Sequence, residues 1–326
     1  MELRPLGASG IPVSVLGLGC NNFGYSLDQH QTDAVVDACF DVGAVFFDTA
    51  DYYGDSEVLL GRALRHRREG AIVATKFGND LKGRLPTGTL RRGSPDYVRA
   101  AVDASLRRLG TEVIDLYQQH VPDPSTPIEE TVGVLTELRR EGKIRAFGCS
   151  NLPAAAMVGS LREADRRGLD RWTCTQNRYN LLERDIEAEL LPACREWGIG
   201  LVAYFPLANG LLTGKYRRDA PPPPGARLTD QSVPWRTRPG VGLDLLTEAT
   251  FSRLDPLLDY CRQRGVSLRE AALGGIAAEP ALSCMIAGAT RPEQVRANAA
   301  AARWRPDRGD AGALALACRP TVPQES

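Results

Sequence analysis

Asp48, Tyr53, Lys76 and His120 supply an acid, a phenol, an ammonium and an imidazole, each set at or just beyond the end of a short apolar run. The runs are Ala44-Val-Phe-Phe47, Ala71-Ile-Val-Ala74 and Val113-Ile-Asp-Leu-Tyr117, and all three read as strands. Ser150, Asn151 and Gln176 follow later runs of the same kind. A phenol with a reference pKa of ~10 is a poor acid at neutral pH. A neighbouring ammonium would favour the phenolate and lower that pKa by ~1–3 units. Asp48 would hold Lys76 in place, and His120 could orient an oxygen by hydrogen bonding. The sum is a proton donor aimed at an oxygen that becomes an alkoxide, which is enzyme chemistry. Each residue alone has a plainer use: a strand-end cap for Asp48, an ordinary ion pair for Lys76, a structural ring for His120. Residue type alone leaves both Tyr52 and Tyr53 open as the phenol.

The elements that must carry these groups alternate along the chain. Apolar runs predict strands at Val15–Gly19, Ala44–Asp48, Ala71–Lys76, Val113–Tyr117, Ile144–Cys149, Thr173–Asn177, Gly200–Phe205 and Cys284–Gly288. Amphipathic segments predict helices at Thr32–Asp41, Ser94–Leu109, Ile128–Glu141, Pro153–Arg167, Arg184–Trp197 and Phe251–Arg264. Ser94-Pro95-Asp96 is a start signal, with a capping serine and a proline at the first helical position. Leu109-Gly110, Glu141-Gly142, Arg167-Gly168 and Trp197-Gly198 are stop signals. Strands alternating with helices mean βα units and a parallel sheet. Eight units predict a closed α/β barrel of the (β/α)₈ (TIM) type, with working residues where strands end and the following loops begin. Leu3–Val15, turning at Ala8-Ser-Gly10, reads as a β-hairpin that could plug one end. Two loops are long: the basic, glycine-rich Gly78–Gly93 and the excursion Leu207–Thr250 with its proline run 221–224.

A length of 326 residues with no shift of composition predicts one domain over 1–326. Forty basic residues balance 40 acidic ones, so no long-range field points to nucleic acid or an anionic membrane as partner. Lysine is scarce, at positions 76, 82, 143 and 215 only. Its proton affinity tunes on burial as that of arginine does not, which makes a buried Lys76 pointed. The eight cysteines form no Cys-x-x-Cys pair and sit largely in apolar runs, so neither a metal site nor a disulfide framework is expected. Met1-Glu-Leu-Arg-Pro5 lacks the apolar stretch of a signal peptide, and no run approaches the ~20 residues needed to span a membrane. A cytoplasmic protein is expected, of open oligomeric state.

At Phe47-Asp-Thr-Ala-Asp-Tyr-Tyr-Gly54, Ser56-Glu-Val-Leu-Leu-Gly-Arg-Ala-Leu64, Ala74-Thr-Lys-Phe-Gly78 and Gly148-Cys-Ser-Asn151 the chain resembles the aldo-keto reductase superfamily. So it does at Ala203-Tyr-Phe-Pro-Leu-Ala-Asn-Gly-Leu-Leu-Thr-Gly-Lys-Tyr216 and Ile286-Ala-Gly-Ala-Thr-Arg-Pro-Glu-Gln-Val-Arg-Ala-Asn298. The matches run in order over roughly residues 1–303. They fit the bacterial branch, also similar to potassium-channel β subunits, better than the mammalian aldose reductase branch. The resemblance implies a barrel that binds NADP(H), with NAD(H) as the alternative, and no Rossmann domain. It implies a catalytic tetrad of Asp48, Tyr53, Lys76 and His120, the spacing of five residues selecting Tyr53 over Tyr52. It implies that Ser150, Asn151 and Gln176 hold the nicotinamide carboxamide and that Tyr204 stacks on the ring. Gly19, Cys20 and Asp48 would lie beside them. Phe205, Pro206, Leu207, Ala208, Gly210 and Lys215 would surround the pyrophosphate. Gly288, Thr290, Gln294 and Asn298 would hold the adenosine, where Pro292 starts a helix suited to an anion. Arg291 or Arg227 would meet a 2′-phosphate.

The chain departs from the family pattern at Phe205, usually serine, at Ala297, commonly glutamate, and at Asn21, often aromatic. Relatives that reduce C=C bonds carry glutamate at His120, and some channel subunits carry asparagine, so retained histidine favours carbonyl reduction. The resulting expectation is an NADPH-dependent oxidoreductase that reduces an aldehyde or ketone to an alcohol, with a small-molecule carbonyl substrate. The alternative is an NADP(H)-binding redox-sensing regulatory subunit with little turnover. A short-chain dehydrogenase is set aside. No tyrosine is followed four residues later by lysine, and Gly17-Leu-Gly19 does not continue as Gly-x-Gly-x-x-Gly.

Overall fold

The computed structural model describes residues 1–79, 91–230, 232 and 241–318. Of the two long loops, residues 80–90, 231 and 233–240 lie outside the described residues, as do 319–326. After a two-stranded hairpin, β1 (Leu3–Pro5) and β2 (Pro12–Ser14), the chain builds eight parallel strands. These are β3 (Leu16–Gly19), β4 (Phe46–Asp48), β5 (Ile72–Phe77), β6 (Ile114–Gln119), β7 (Ile144–Ser150), β8 (Cys174–Arg178), β9 (Gly200–Tyr204) and β10 (Leu282–Gly288). Each pairs with its neighbour in sequence, and β10 closes the ring on β3. The predicted (β/α)₈ barrel is the observed fold.

Ten α-helices occupy the described residues: α1 (Gln29–Val42), α2 (Ser56–Ala63), α3 (Pro95–Leu109), α4 (Ile128–Arg140), α5 (Ala154–Arg167), α6 (Leu190–Trp197), α7 (Glu248–Arg264), α8 (Leu268–Ala277), α9 (Pro292–Ala301) and α10 (Arg308–Ala317). Local chemistry sets their ends. Asp28 and Gln31 form a reciprocal capping box at the start of α1, and Gly43 ends it in the left-handed conformation. Gly110, Gly168 and Gly198 cap α3, α5 and α6 in the same way. Ser94 is the N-cap of α3 and Pro95 its first residue, as expected, although the Ser94 side chain makes no capping bond. One expectation is corrected. The segment from Arg184 is not one helix, because Pro192 is tolerated only in a first turn, where its missing N–H is not needed. Regular helix therefore starts at Leu190, after a short 3-10 turn at Asp185–Glu187.

Strand alternation divides the barrel. Phe46, Ala74, Leu116, Ala146, Cys174, Val202 and Cys284 pack together as one buried cluster inside it. Neighbours of opposite parity, such as Phe47, Val73, Tyr117 and Phe147, join the larger core between sheet and helices. Burying each such large side chain contributes about 1.5–3 kcal/mol. The hairpin plugs the N-terminal end, with Leu6, Ile11 and Val13 completing the interior cluster. Gly7 makes this possible: at φ +50° it lies so close that a Cβ would sit 1.9 Å from the Thr173 carbonyl oxygen. Among the described residues no helix is long and apolar enough to cross a membrane.

Candidate active site

On five strands, two residues beyond the interior cluster, the side chains change from apolar to functional. Phe46 is followed by Asp48, Ala74 by Lys76, Leu116 by Gln118, Cys174 by Gln176 and Val202 by Tyr204. Period-2 alternation thus delivers one ring of polar groups to the C-terminal mouth, where such barrels carry their sites. Lys76 and Asp48 are 1% and 2% exposed and joined Nζ to Oδ2 at 2.5 Å. Lys76 also donates to the Thr49 carbonyl at 2.9 Å. The other Asp48 oxygen accepts from Gln176 Nε2 at 2.7 Å and Gln118 Nε2 at 3.3 Å. A buried ion pair is tolerable only with its remaining lone pairs so satisfied.

The Tyr53 hydroxyl lies 3.5 Å from His120 Nε2, with the two rings edge to face at 86°. The Lys76 ammonium sits 5.3 Å from the centre of the Tyr53 ring. The structure reverses the expected direction of the tyrosine's acidity. Burial and the Asp48 charge push the phenol well above its ordinary value. Burial is the larger cause, and the nearby Lys76 ammonium is already paired with Asp48. Burial, with Lys76 as a second cause, holds His120 well below the usual imidazole value. The resting site therefore presents a protonated phenol beside a neutral ring.

Above this floor runs a cleft of about 530 Å³. Its wall includes Gly19, Cys20, Ser150, Asn151, Gln176, Tyr204, Phe205, Pro206, Leu207, Gly210 and Lys215. It continues through Arg227, Gly288, Thr290, Arg291, Gln294 and Asn298. One expected position is not on the wall. Ala208 turns its methyl into the apolar cluster of Leu211 and Leu212 and is 5% exposed. The four non-glycine residues with positive φ among those described are Asn151, Phe205, Ala208 and Asn209. All follow the C-terminal ends of β7 or β9, and such strain is held where a site requires it.

The polar groups are pre-oriented. Asp48 can only accept, so Gln176 must turn Nε2 to it and keep Oε1 as an acceptor. Asn151 donates to Ser150 Oγ and the His120 carbonyl, while its Oδ1 accepts from the Tyr204 hydroxyl at 2.8 Å. Gly210, at φ +93°, leaves room for Lys215, whose Nζ would lie 3.2 Å from a Cβ there. Phe205 fills the place of the expected hydroxyl with a ring flanked by two guanidiniums, Arg178 at 5.2 Å and Arg227 at 5.1 Å. The excursion after β9 also closes back across the mouth, where Ser26 donates to Asp230 at 2.8 Å.

Several wall residues were not singled out in the sequence: Asn22, Asn79, Arg178 and Arg269. Arg178 was legible in principle, standing two beyond Gln176 on one strand face. Arg269 was not, because the sequence pattern named no helix over α8. Cations at one end, amides and a tyrosine face in the middle and a proton donor at the floor suit a dinucleotide beside a small substrate.

Comparison with known proteins agrees. A model described as the Aldo/keto reductase family matches residues 15–310, and the chain belongs to that family. It is therefore an oxidoreductase of a class that acts on small carbonyl compounds with a nicotinamide cofactor. A soybean (Glycine max) protein named "Probable aldo-keto reductase 1" is 42% identical over 223 residues, 66% of this chain and 62% of that one. The "Uncharacterized oxidoreductase YrpG" of Bacillus subtilis is 33% identical over 306 residues, 91% of this chain and 89% of that one. An Arabidopsis thaliana protein named "Probable voltage-gated potassium channel subunit beta" is 34% identical over 305 residues, 91% of this chain and 90% of that one.

Proposed function

We propose that this chain is an NADPH-dependent reductase that converts an aldehyde or ketone to an alcohol, working in the cytoplasm as one barrel unit over 1–326. One observation carries the reading: the Tyr53 hydroxyl and His120 Nε2 flank a single spot at the cleft floor, 3.5 Å apart, above the Asp48–Lys76 pair. A carbonyl oxygen placed there is held by both groups. The dinucleotide, when bound, supplies the hydride that reaches the carbonyl carbon. As the oxygen gains charge, Tyr53 donates its proton to it, and the alcohol leaves. A phenol held above its ordinary pKa keeps that proton until an alkoxide, a far stronger base, claims it. Lys76 then lies close to the phenolate face, and solvent restores the proton. Neutral His120 donates through Nε2 and orients the oxygen. Ser150, Asn151 and Gln176 hold the carboxamide, and Tyr204 flanks the ring.

General acid catalysis of this kind contributes roughly 10²–10⁴-fold. Tyr53→Phe is expected to remove that much of the turnover while the dissociation constant for NADPH stays within about threefold. Full turnover in this variant would reject the assignment. The channel-subunit relative motivates a second reading, a nucleotide-sensing subunit with little turnover. It requires tight NADPH binding with no multiple turnover of a reactive aromatic aldehyde, and that assay separates the two.

A further inference from the structure

Arg178 and Tyr204 stand opposite each other on the paired strands β8 and β9, at the wall of the cleft. The Arg178 guanidinium lies 5.9 Å from the centre of the Tyr204 ring and 5.2 Å from that of Phe205. Those two rings meet edge to face at 79°, so one cation attracts both. Glu183 fixes its aim, accepting from Arg178 Nη1 at 2.7 Å with one oxygen and from Asn180 Nδ2 at 2.7 Å with the other. Asn180 is fully buried and also donates to the Phe205 carbonyl at 3.0 Å, on a residue held at φ +53°. The Tyr179 N–H donates to the Tyr204 carbonyl. The turn after β8 therefore grips Tyr204 and Phe205 through backbone and side chain together.

Stability alone does not account for this grip. An ion pair as exposed as Arg178 and Glu183 adds little, and a positive φ at a phenylalanine is itself unfavourable. Glu183 already matches the charge of Arg178, so the pair brings the wall no net charge with which to capture an anion. What the arrangement fixes is the Tyr204 ring, approached by Arg178 on one side and tied at its hydroxyl to Asn151 Oδ1 at 2.8 Å. Asn151 spends its two amide hydrogens on Ser150 Oγ and the His120 carbonyl. A chain of contacts thus runs from Glu183 through Arg178, Tyr204 and Asn151 to His120. We propose that Arg178 is a positioning residue that acts through Tyr204, holding that ring so that the nicotinamide keeps one place above the His120 floor. This rests on the reductase reading above, in which Tyr204 flanks the nicotinamide. It adds to that reading a residue whose work is done on Tyr204 rather than on the ligand.

The test compares the full chain with Arg178→Met, Arg178→Lys and Glu183→Gln. It measures the single-turnover rate of hydride transfer to a reactive aromatic aldehyde, and the calorimetric affinities for NADPH and for 2′,5′-ADP, which lacks the nicotinamide. Arg178→Met should slow hydride transfer roughly 10- to 100-fold, the scale of a misplaced reacting group. NADPH should bind about 3- to 10-fold more weakly, while 2′,5′-ADP affinity stays within about threefold. Arg178→Lys should recover part of the rate, because it keeps the charge without the planar fork. Glu183→Gln should lose less than Arg178→Met, and it carries the same comparison if the methionine variant does not fold. Equal weakening of NADPH and 2′,5′-ADP would place Arg178 on the phosphates or make it structural, and would overturn the proposal. An unchanged hydride rate would overturn it too. If the unaltered protein binds NADPH but turns over no aldehyde, the reductase reading falls and the affinities decide the proposal. Weakening of NADPH alone then supports it, and weakening of both ligands or of neither overturns it. If the unaltered protein binds no dinucleotide, both fall.

Discussion

Gln176 Nε2 donates to Asp48 Oδ1 at 2.7 Å, so a residue of the cofactor wall and the acid that anchors Lys76 are one hydrogen-bonded unit. In the proposed reductase this bond would join cofactor binding to proton transfer. The Gln176 amide cannot rotate without releasing Asp48. Removing it should damage both functions at once.

Gln176→Ala is accordingly expected to weaken NADPH binding and to lower kcat, each by roughly 10-fold or more, given a charge-assisted bond worth about 1.5–3 kcal/mol. Equilibrium titration and single-turnover kinetics check the two separately. A change in binding alone would show that Asp48 keeps its position through Gln118 and Lys76.

The ion pair beneath the tyrosine gives a second expectation. Lys76→Met strands a buried carboxylate and Asp48→Asn a buried ammonium, and breaking such a pair from one side costs about 3–5 kcal/mol. The double variant should be more stable than the sum of the two losses implies, because neither charge is left behind. Urea unfolding of all four proteins measures that coupling. Strict additivity would mean that the pair is not coupled in the folded protein.

The pH profile of reduction follows from the direction of the tyrosine's shift. Donation needs the protonated phenol, and burial with Asp48 pushes its pKa well above the ordinary value of ~10. The rate of carbonyl reduction should therefore show no loss assignable to Tyr53 between pH 7 and about 9. His120, held low by burial and Lys76, stays neutral over the same window. Single-turnover rates across that range test it. A fall with an apparent pKa near 8 would show that the bound state lowers the phenol after all.

The fold was legible because its signals are local and repeated. Eight apolar runs separated by capped helices admit little but a ring of βα units, and the strands fell within a few residues of their expected ends. The floor of the site was legible for the same reason: Asp48, Lys76 and Gln176 stand at strand ends, where alternation fixes the face. What stayed hidden depends on loops and on pairwise fields. Nothing in the order of residues reveals how completely the Tyr53 hydroxyl is buried beside the Asp48 charge, so the direction of its shift was read backwards. Arg269 was invisible because a cation in a first helical turn contradicts local preference. The phenyl of Phe205 gained a reason only when two guanidiniums appeared beside it.

Asp51 lies one loop behind the tetrad, 5% exposed, with no side-chain partner for either carboxyl oxygen among the described residues and only the Tyr52 backbone N–H nearby. Burial, and then the charge of Glu57, push its pKa well above the ordinary carboxyl value, with Arg108 opposing. The folded protein thus holds a proton on Asp51 at a pH where the unfolded chain, at ~3.9, has lost it. Folding then takes up a proton, and stability falls as pH rises from the unfolded value toward the folded one. Asp51→Asn keeps the shape and removes the titration. Its melting temperature should exceed that of the unaltered protein by more at pH 8 than at pH 5. Equal destabilisation by the asparagine at both pH values would show instead that the carboxylate is held charged by a stabilising partner. Because Asp51 does not line the cleft, NADPH affinity should be unchanged in the same variant.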